Sequence, residues 1–268
     1  MGDLARNLKK AAPRILTIDL ERLPGEVTMD VWEPRDFKRV NYVHPDRWDV
    51  LPRTLCASGH FMGDKMYKFV AAWDQPDDPW HVARTLWSWL SDADYCVTFN
   101  GNNADLKWLR SDWVMAGLPL PAPYRSIDLY TIARREFSFE SKSLRHLCDR
   151  LNIENKDGHY NAAEAKAAMA GDVKAQARLR RYNRQDVKVT ELAFERLRPY
   201  LGNALNWGLT IGDDLNTRCC PTCGCEQLEP AGYYETGVTR YTAWRCTECL
   251  AIMRSKSRSA SVTMRGVR

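Results

Sequence analysis

The sequence predicts an α/β or α+β domain followed by a small cysteine-bearing module. Three observations predict it. Short apolar runs of strand character fill the first part of the chain. Patterns with a 3.6-residue period dominate the part after Leu129. Six of the nine cysteines then crowd between Cys219 and Cys249. At 268 residues the chain can bury one sizeable core and carry one small appendage.

Element by element, RILTIDL (14–20) reads as a buried apolar strand. A second strand around EVTMDVW follows a turn at Pro24-Gly25. Residues 34–53 are charged, contain three prolines and read as a loop insertion. LCASGHFM and MYKFVAAW form an expected hairpin around Gly63-Asp64. After Pro79, WHVARTLWSWLSDA places Val82, Leu86, Trp89 and Leu90 on one helical face. YCVTF (95–99) is a further short strand, and Asp105 to Met115 a helix ending at Gly117. LYTIARREF, SLRHLCDRL and a long run from about Ala162 to Leu197 read as helices, with Pro199 marking the last stop. The expected divisions are a basic extension (1–13), the main domain (14–200), a linker (201–217), the cysteine module (218–254) and a basic tail (255–268). No internal repeat is visible.

Composition narrows the class. Hydrophobic residues at 44% and charged residues at 27% suit a globular protein. No apolar stretch approaches the roughly 20 residues of a membrane helix. MGDLARNLKKAAPR lacks the apolar core of a signal peptide, and Arg6 stands where a myristoylation signal needs Ser or Thr. A cytoplasmic location with no membrane partner is the expectation. The net charge of +5 decides little. Its distribution says more: the final RSKSRSASVTMRGVR carries five positive charges and no negative ones. Such a tail reads as disordered, either solubilising or holding phosphates. An odd number of cysteines argues against a disulfide framework and for metal binding in the cluster. Cys56, Cys96 and Cys148 read as small core hydrophobes.

Three acidic clusters carry the chemistry. Asp19 and Glu21, two apart on a strand, share one face. An apolar strand ending in two acids carries a desolvation cost that a metal ion would offset. Asp105 follows the turn-forming NGNN, where an acid also suits a helix start. Asp186 closes YNRQDV, with Tyr182 one helical turn earlier on the same face. Singly, each has a plain reading: a strand end, a helix-dipole charge, an amphipathic surface helix. Four acids converging on one point would hold two divalent ions and favour phosphodiester chemistry.

In order, spacing and context these clusters resemble the DEDD superfamily of 3′–5′ exonucleases, which has an RNase H-like fold: a mixed sheet flanked by helices. Asp19 and Glu21 match its D-x-E strand, FNGNNAD its second motif, and Tyr182 with Asp186 its third. With no His near Asp186, the tyrosine subtype is implied, as in proofreading domains of family-B DNA polymerases. SIDLYTIARREFSFESKSLRHLCDRLNIENK is also similar to predicted, often phage-encoded, single-chain members. The resemblance covers about residues 14–200. Ala104 replaces the usual aromatic before the second-motif acid, and Arg22 the usual small residue after Glu21. The resemblance implies hydrolysis with two Mg²⁺ or Mn²⁺ held by Asp19, Glu21, Asp105 and Asp186, and Tyr182 bonded to the attacking water. A hydroxyl of pKa about 10 orients that water more readily than it deprotonates it. Candidate substrate contacts are Asn100, Asn102, Arg22 and Lys156. The implied substrate is a single-stranded 3′ end, DNA favoured, with a replication or repair protein as possible partner and a host cytoplasm if phage-encoded. The alternatives are a non-catalytic nucleic-acid-binding or adaptor protein, and an RNA-directed or endonucleolytic RNase H-like nuclease.

Cys220, Cys223, Cys246 and Cys249 form C-x₂-C…C-x₂-C, with 22 residues between the pairs. This spacing is a strong tetrathiolate signal for one structural Zn²⁺. Cys219 and Cys225 leave shifted ligand sets open. The intervening YYETGVTRYTAWR reads as a hairpin, and the segment is similar to zinc ribbons. So few residues cannot build a sufficient apolar core, so metal would supply much of the stability. The hairpin's aromatics and arginines could contact nucleic acid, a protein, or each other.

Overall fold

Ile15–Leu23 is the central strand of a computed structural model that describes residues 13–33, 40, 42–153, 160–202, 205–209 and 218–264. Lys156, residues 1–12, most of 201–217 and the last four residues lie outside the described residues. The chain divides into two compact units, one of them Arg14–Ala193 and the other containing Phe194–Arg268.

The strands of the first unit, in chain order, are β1 (Ile15–Leu23), the short β2 (Glu26–Val27) and β3 (Trp48–Val50), β4 (Arg53–Phe61), β5 (Lys68–Ala71), β6 (Tyr95–Thr98) and β7 (Arg125–Asp128). Five of them form a mixed sheet in the order β5-β4-β1-β6-β7. β4 is antiparallel to β1 and β5, whereas β6 is parallel to β1 and β7. Gly63, at φ +91, turns the chain between β4 and β5. The helices are α1 (His81–Ser91), α2 (Asp105–Met115), α3 (Leu129–Glu136), α4 (Leu144–Leu151), α5 (Ala162–Met169) and α6 (Val173–Leu197).

The core has two sides. Leu16, Ile18 and Leu20 of β1 pack with Leu86 and Leu90 of α1 and with Leu106, Leu109 and Trp113 of α2. On the other side, Leu23 and Cys56 pack with Ala165 and Ala168 of α5 and with Ala175 and Leu179 of α6. The alanines and Cys56 are small, so α5 and α6 can approach the sheet closely.

Several expectations need correction. The strand around EVTMDVW shrinks to Glu26–Val27, paired with β3 in a separate two-stranded sheet. Both its residues are exposed, so no buried face extends it. β3 itself lies in the segment expected to be loop. β7 was not expected as a strand; its RSID is short, and its first two residues are exposed. The long run from Ala162 is two helices. Gly171, at φ +95, breaks it, and Asp172 caps α6 by accepting from the N–H groups of Lys174 (2.8 Å) and Ala175 (3.1 Å).

The second unit contains a four-stranded antiparallel sheet: β8 (Leu228–Glu235), β9 (Thr239–Cys246), β10 (Ile252–Arg254) and β11 (Ala260–Ser261). β9 pairs with the other three. Of the tail read as disordered, the described residues 255–264 instead run along β9: the N–H groups of Ser255, Ser259 and Val262 donate to the carbonyls of Thr242, Arg240 and Val238 at 2.8–3.0 Å. Its small serines let the backbone add to the sheet edge. Among the described residues no helix is long and apolar enough to cross a membrane. The α/β architecture followed by a small cysteine-bearing sheet is as expected.

Candidate metal centre and its surroundings

Alternation along β1 sets the site. Leu16, Ile18 and Leu20 face α1 and α2, so Asp19 and Glu21 emerge on the opposite face, where α5 and α6 pack. Asp186 comes from α6, far away in sequence. One carboxylate oxygen from each of Asp19, Glu21 and Asp186 lies within 4.8 Å of the others. Asp186 is buried and the other two are half-buried. Three carboxylates this close repel one another unless a cation or protons intervene. A dense set of hard oxygen donors fits Mg²⁺ or Mn²⁺.

Asn183 completes the approach of α6 and was missed by sequence reasoning. It is fully buried, and its Nδ2 donates to Asp19 Oδ2 at 2.6 Å. The signal was its spacing: three residues before Asp186, on the same helical face. Tyr182, half-buried, stands one turn before Asp186 on α6.

Asp105 is the first residue of α2, and its carboxyl lies near the backbone N–H of Leu20, the residue between Asp19 and Glu21. It is not one of the three grouped acids. Burial pushes its carboxyl up to about 6; nearby backbone N–H groups oppose the rise and the Asp128 charge adds to it.

The turn ahead of Asp105 is pinned by a second residue the sequence did not disclose. Asp128 ends β7, caps α3 and is buried. Its Oδ1 accepts from Asn100 N–H (2.8 Å) and Tyr130 N–H (3.0 Å), and its Oδ2 from Asn102 N–H (3.1 Å). Asn100 sits at φ +65, which asparagine tolerates. A Cβ on Gly101 would fall 2.5 Å from the Thr98 side chain, so the turn requires glycine. The two candidate substrate contacts have internal partners: Asn100 Oδ1 accepts from Asn103 (3.2 Å) and Asn102 Oδ1 from Ser126 (2.7 Å).

Arg22, another candidate contact, reaches inward. Its guanidinium donates to Asp112 Oδ2 (3.2 Å), Thr54 Oγ1 (3.1 Å) and the Pro52 carbonyl (3.0 Å). Arg22 is in phase with Leu16, Ile18 and Leu20, so alternation along β1 turns it toward α2; beside it, between Glu21 and Arg22, the register against β4 shifts. Tyr160, also unforeseen, donates its hydroxyl to the Arg22 carbonyl beside this bulge. Burial, with the Glu21 charge second, holds that hydroxyl well above its usual pKa, so it stays a donor.

In the second unit the sulfurs of Cys220, Cys223, Cys246 and Cys249 lie within 4.8 Å of one another, and none is in a disulfide. The Cys220–Cys249 and Cys223–Cys246 separations are both 3.5 Å. A disulfide needs about 2.05 Å. Zn–S bonds of about 2.3 Å in a tetrahedron put sulfurs about 3.8 Å apart, so the donor set fits zinc. Each knuckle turns at a positive-φ residue directly after its second cysteine, Gly224 (φ +84) and Leu250 (φ +61). Cys219 and Cys225 do not join this group.

Comparison with known proteins places the first unit. No curated protein matches the chain. Among solved structures it is similar to a family B DNA polymerase from the hyperthermophilic archaeon Pyrobaculum calidifontis, with 19% identity and a TM-score of 0.51 over 70% of this chain. The match spans 25% of the polymerase, and the likeness is one of fold. A family model described as the RNase_H superfamily matches residues 52–198, from β4 through Asp186. That match covers more than half of the chain and includes the helices that carry Asp105 and Asp186; β1 and its two acids precede the matched residues. The chain belongs to the RNase H superfamily.

Proposed function

We propose that this chain is a metal-dependent nuclease acting as a 3′–5′ exonuclease, DNA being the favoured substrate. The observation that carries the reading is the convergence of Asp19 and Glu21 from the central strand with Asp186 from α6 in an RNase H superfamily domain. The sequence resemblance to proofreading domains and the fold likeness to a family B polymerase support the same reading.

Asp19, Glu21 and Asp186 would hold a divalent ion, and Asp105 would serve a second. Ions held there supply Lewis acidity and positive charge at a phosphodiester. The protein's own part is orientation. Asn183 fixes one oxygen of Asp19. Asp128 holds the turn that presents Asp105. Tyr182 orients the attacking water as a hydrogen-bond partner, and the Tyr160 bond to Arg22 O steadies the strand end beyond Glu21. In the second unit, Cys220, Cys223, Cys246 and Cys249 would hold Zn²⁺ in a structural role.

The test uses matched DNA and RNA strands, each with a free or blocked 3′ end, with Mg²⁺ or Mn²⁺. Ladders that shorten from a free 3′ end, and that vanish in Asp19→Asn and Asp186→Asn, are expected. Full activity in either variant would sink the assignment. Cleavage of the blocked strand would make the enzyme an endonuclease.

A further inference from the structure

The face of α6 turned away from the acids carries a groove of about 600 Å³. Lys65 and Tyr67, from the segment joining β4 to β5, line one wall; Arg180, Arg181, Arg184 and Lys188 line the helix side. No carboxylate lines it. Among the described residues, Lys65, Arg180, Arg181 and Arg184 form no ion pair. Glu191, one turn further along this face, is engaged by the Tyr67 hydroxyl (2.7 Å) and His60 Nδ1 (2.6 Å).

Arg180, Arg184 and Lys188 recur every fourth residue. Like charges at this spacing destabilise a helix. The fold holds them together all the same: the guanidinium carbons of Arg180 and Arg184 lie 4.8 and 5.9 Å from the Phe69 ring centre. Steps of four residues advance about 6 Å along the helix. That advance is comparable to the separation of successive phosphates on one strand. Arg180 and Arg184, set at this pitch in a groove that no carboxylate lines, are complementary to a polyphosphodiester.

We propose that this groove is a second binding site for single-stranded nucleic acid, taking the backbone of the strand upstream of the end held at the acids. The strand's identity as substrate rests on the nuclease reading. Arg184 lies roughly 160° around the helix from both Tyr182 and Asp186. Half-way around a helix about 10–12 Å in diameter is about 17 Å, the length of several nucleotides. The groove therefore serves long strands and is out of reach of a dinucleotide.

The test measures binding of a labelled single-stranded oligonucleotide to the full chain in EDTA across a salt series, alongside cleavage of that strand and of a dinucleotide with Mg²⁺ or Mn²⁺. Lys65→Gln/Arg181→Gln removes two exposed cations without touching the Phe69 stack. Its affinity should fall about tenfold, with the salt slope reduced by about 0.7 for each cation removed. Dinucleotide cleavage should not change. Arg180→Lys/Arg184→Lys keeps the charge and should still bind. Unchanged affinity and slope in Lys65→Gln/Arg181→Gln would overturn the proposal, as would equal competition by inorganic phosphate or an acidic peptide. Groove-dependent binding without any cleavage by the native chain would uphold the groove and sink the nuclease reading instead.

Discussion

An amide in place of Asp128 would keep both bonds to Oδ1, because an amide oxygen accepts from the N–H groups of Asn100 and Tyr130 as a carboxylate does. The Oδ2 position would become an NH₂ facing the N–H of Asn102, donor against donor. Asp128→Asn should therefore destabilise the fold by about 1–3 kcal/mol, measured by urea unfolding. Metal-dependent cleavage should fall further than the unfolded fraction explains, because the turn ahead of Asp105 loosens. Asp128 was hard to read in the sequence: SIDLY resembles any strand end before a helix. Asn183 shared a helical face with Asp186, but that spacing alone did not set it apart from the other polar residues of α6. Its burial depends on how closely α5 and α6 approach the sheet, and no local pattern reports that. Arg22 was visible but misdirected. Its inward turn follows from the alternation that also buries Leu16, Ile18 and Leu20, and its partner Asp112 is supplied by a helix distant in sequence.

At the scale of elements, the two cysteine knuckles turn alike with different residues. Gly224 occupies the left-handed region freely, whereas Leu250 does so with a branched side chain, 61% exposed, which gains little there from burial. Leu250→Gly should therefore fold at least as well and bind zinc at least as tightly. Leu250→Val should lose on the order of 1 kcal/mol or more. Competition with a chromophoric chelator checks both. The knuckles were legible because the x₂ spacing is imposed by the ion itself, and the hairpin between them because of its alternation. The division of the long helical run was less legible. Ala162–Met169 and the start of α6 are both built of good helix formers, so helical propensity continues across the gap. Gly171 alone marks the stop.

For the molecule as a whole, the class of the fold followed from strands that end in acids or Gly-rich turns and from helices of clear period. Sheet order was beyond reach, since nothing local says that β1 stands between an antiparallel and a parallel neighbour. That position has a kinetic meaning. From Ile15 to Thr17 the strand is paired on both sides, with β4 and β6; from Ile18 onward only β4 accompanies it. Amide hydrogen exchange should be slowest across Ile15–Thr17 and rise toward Leu23. Asp19 and Glu21 thus stand on the stretch of the central strand that one neighbour alone holds, so their backbone should yield before the doubly paired stretch does.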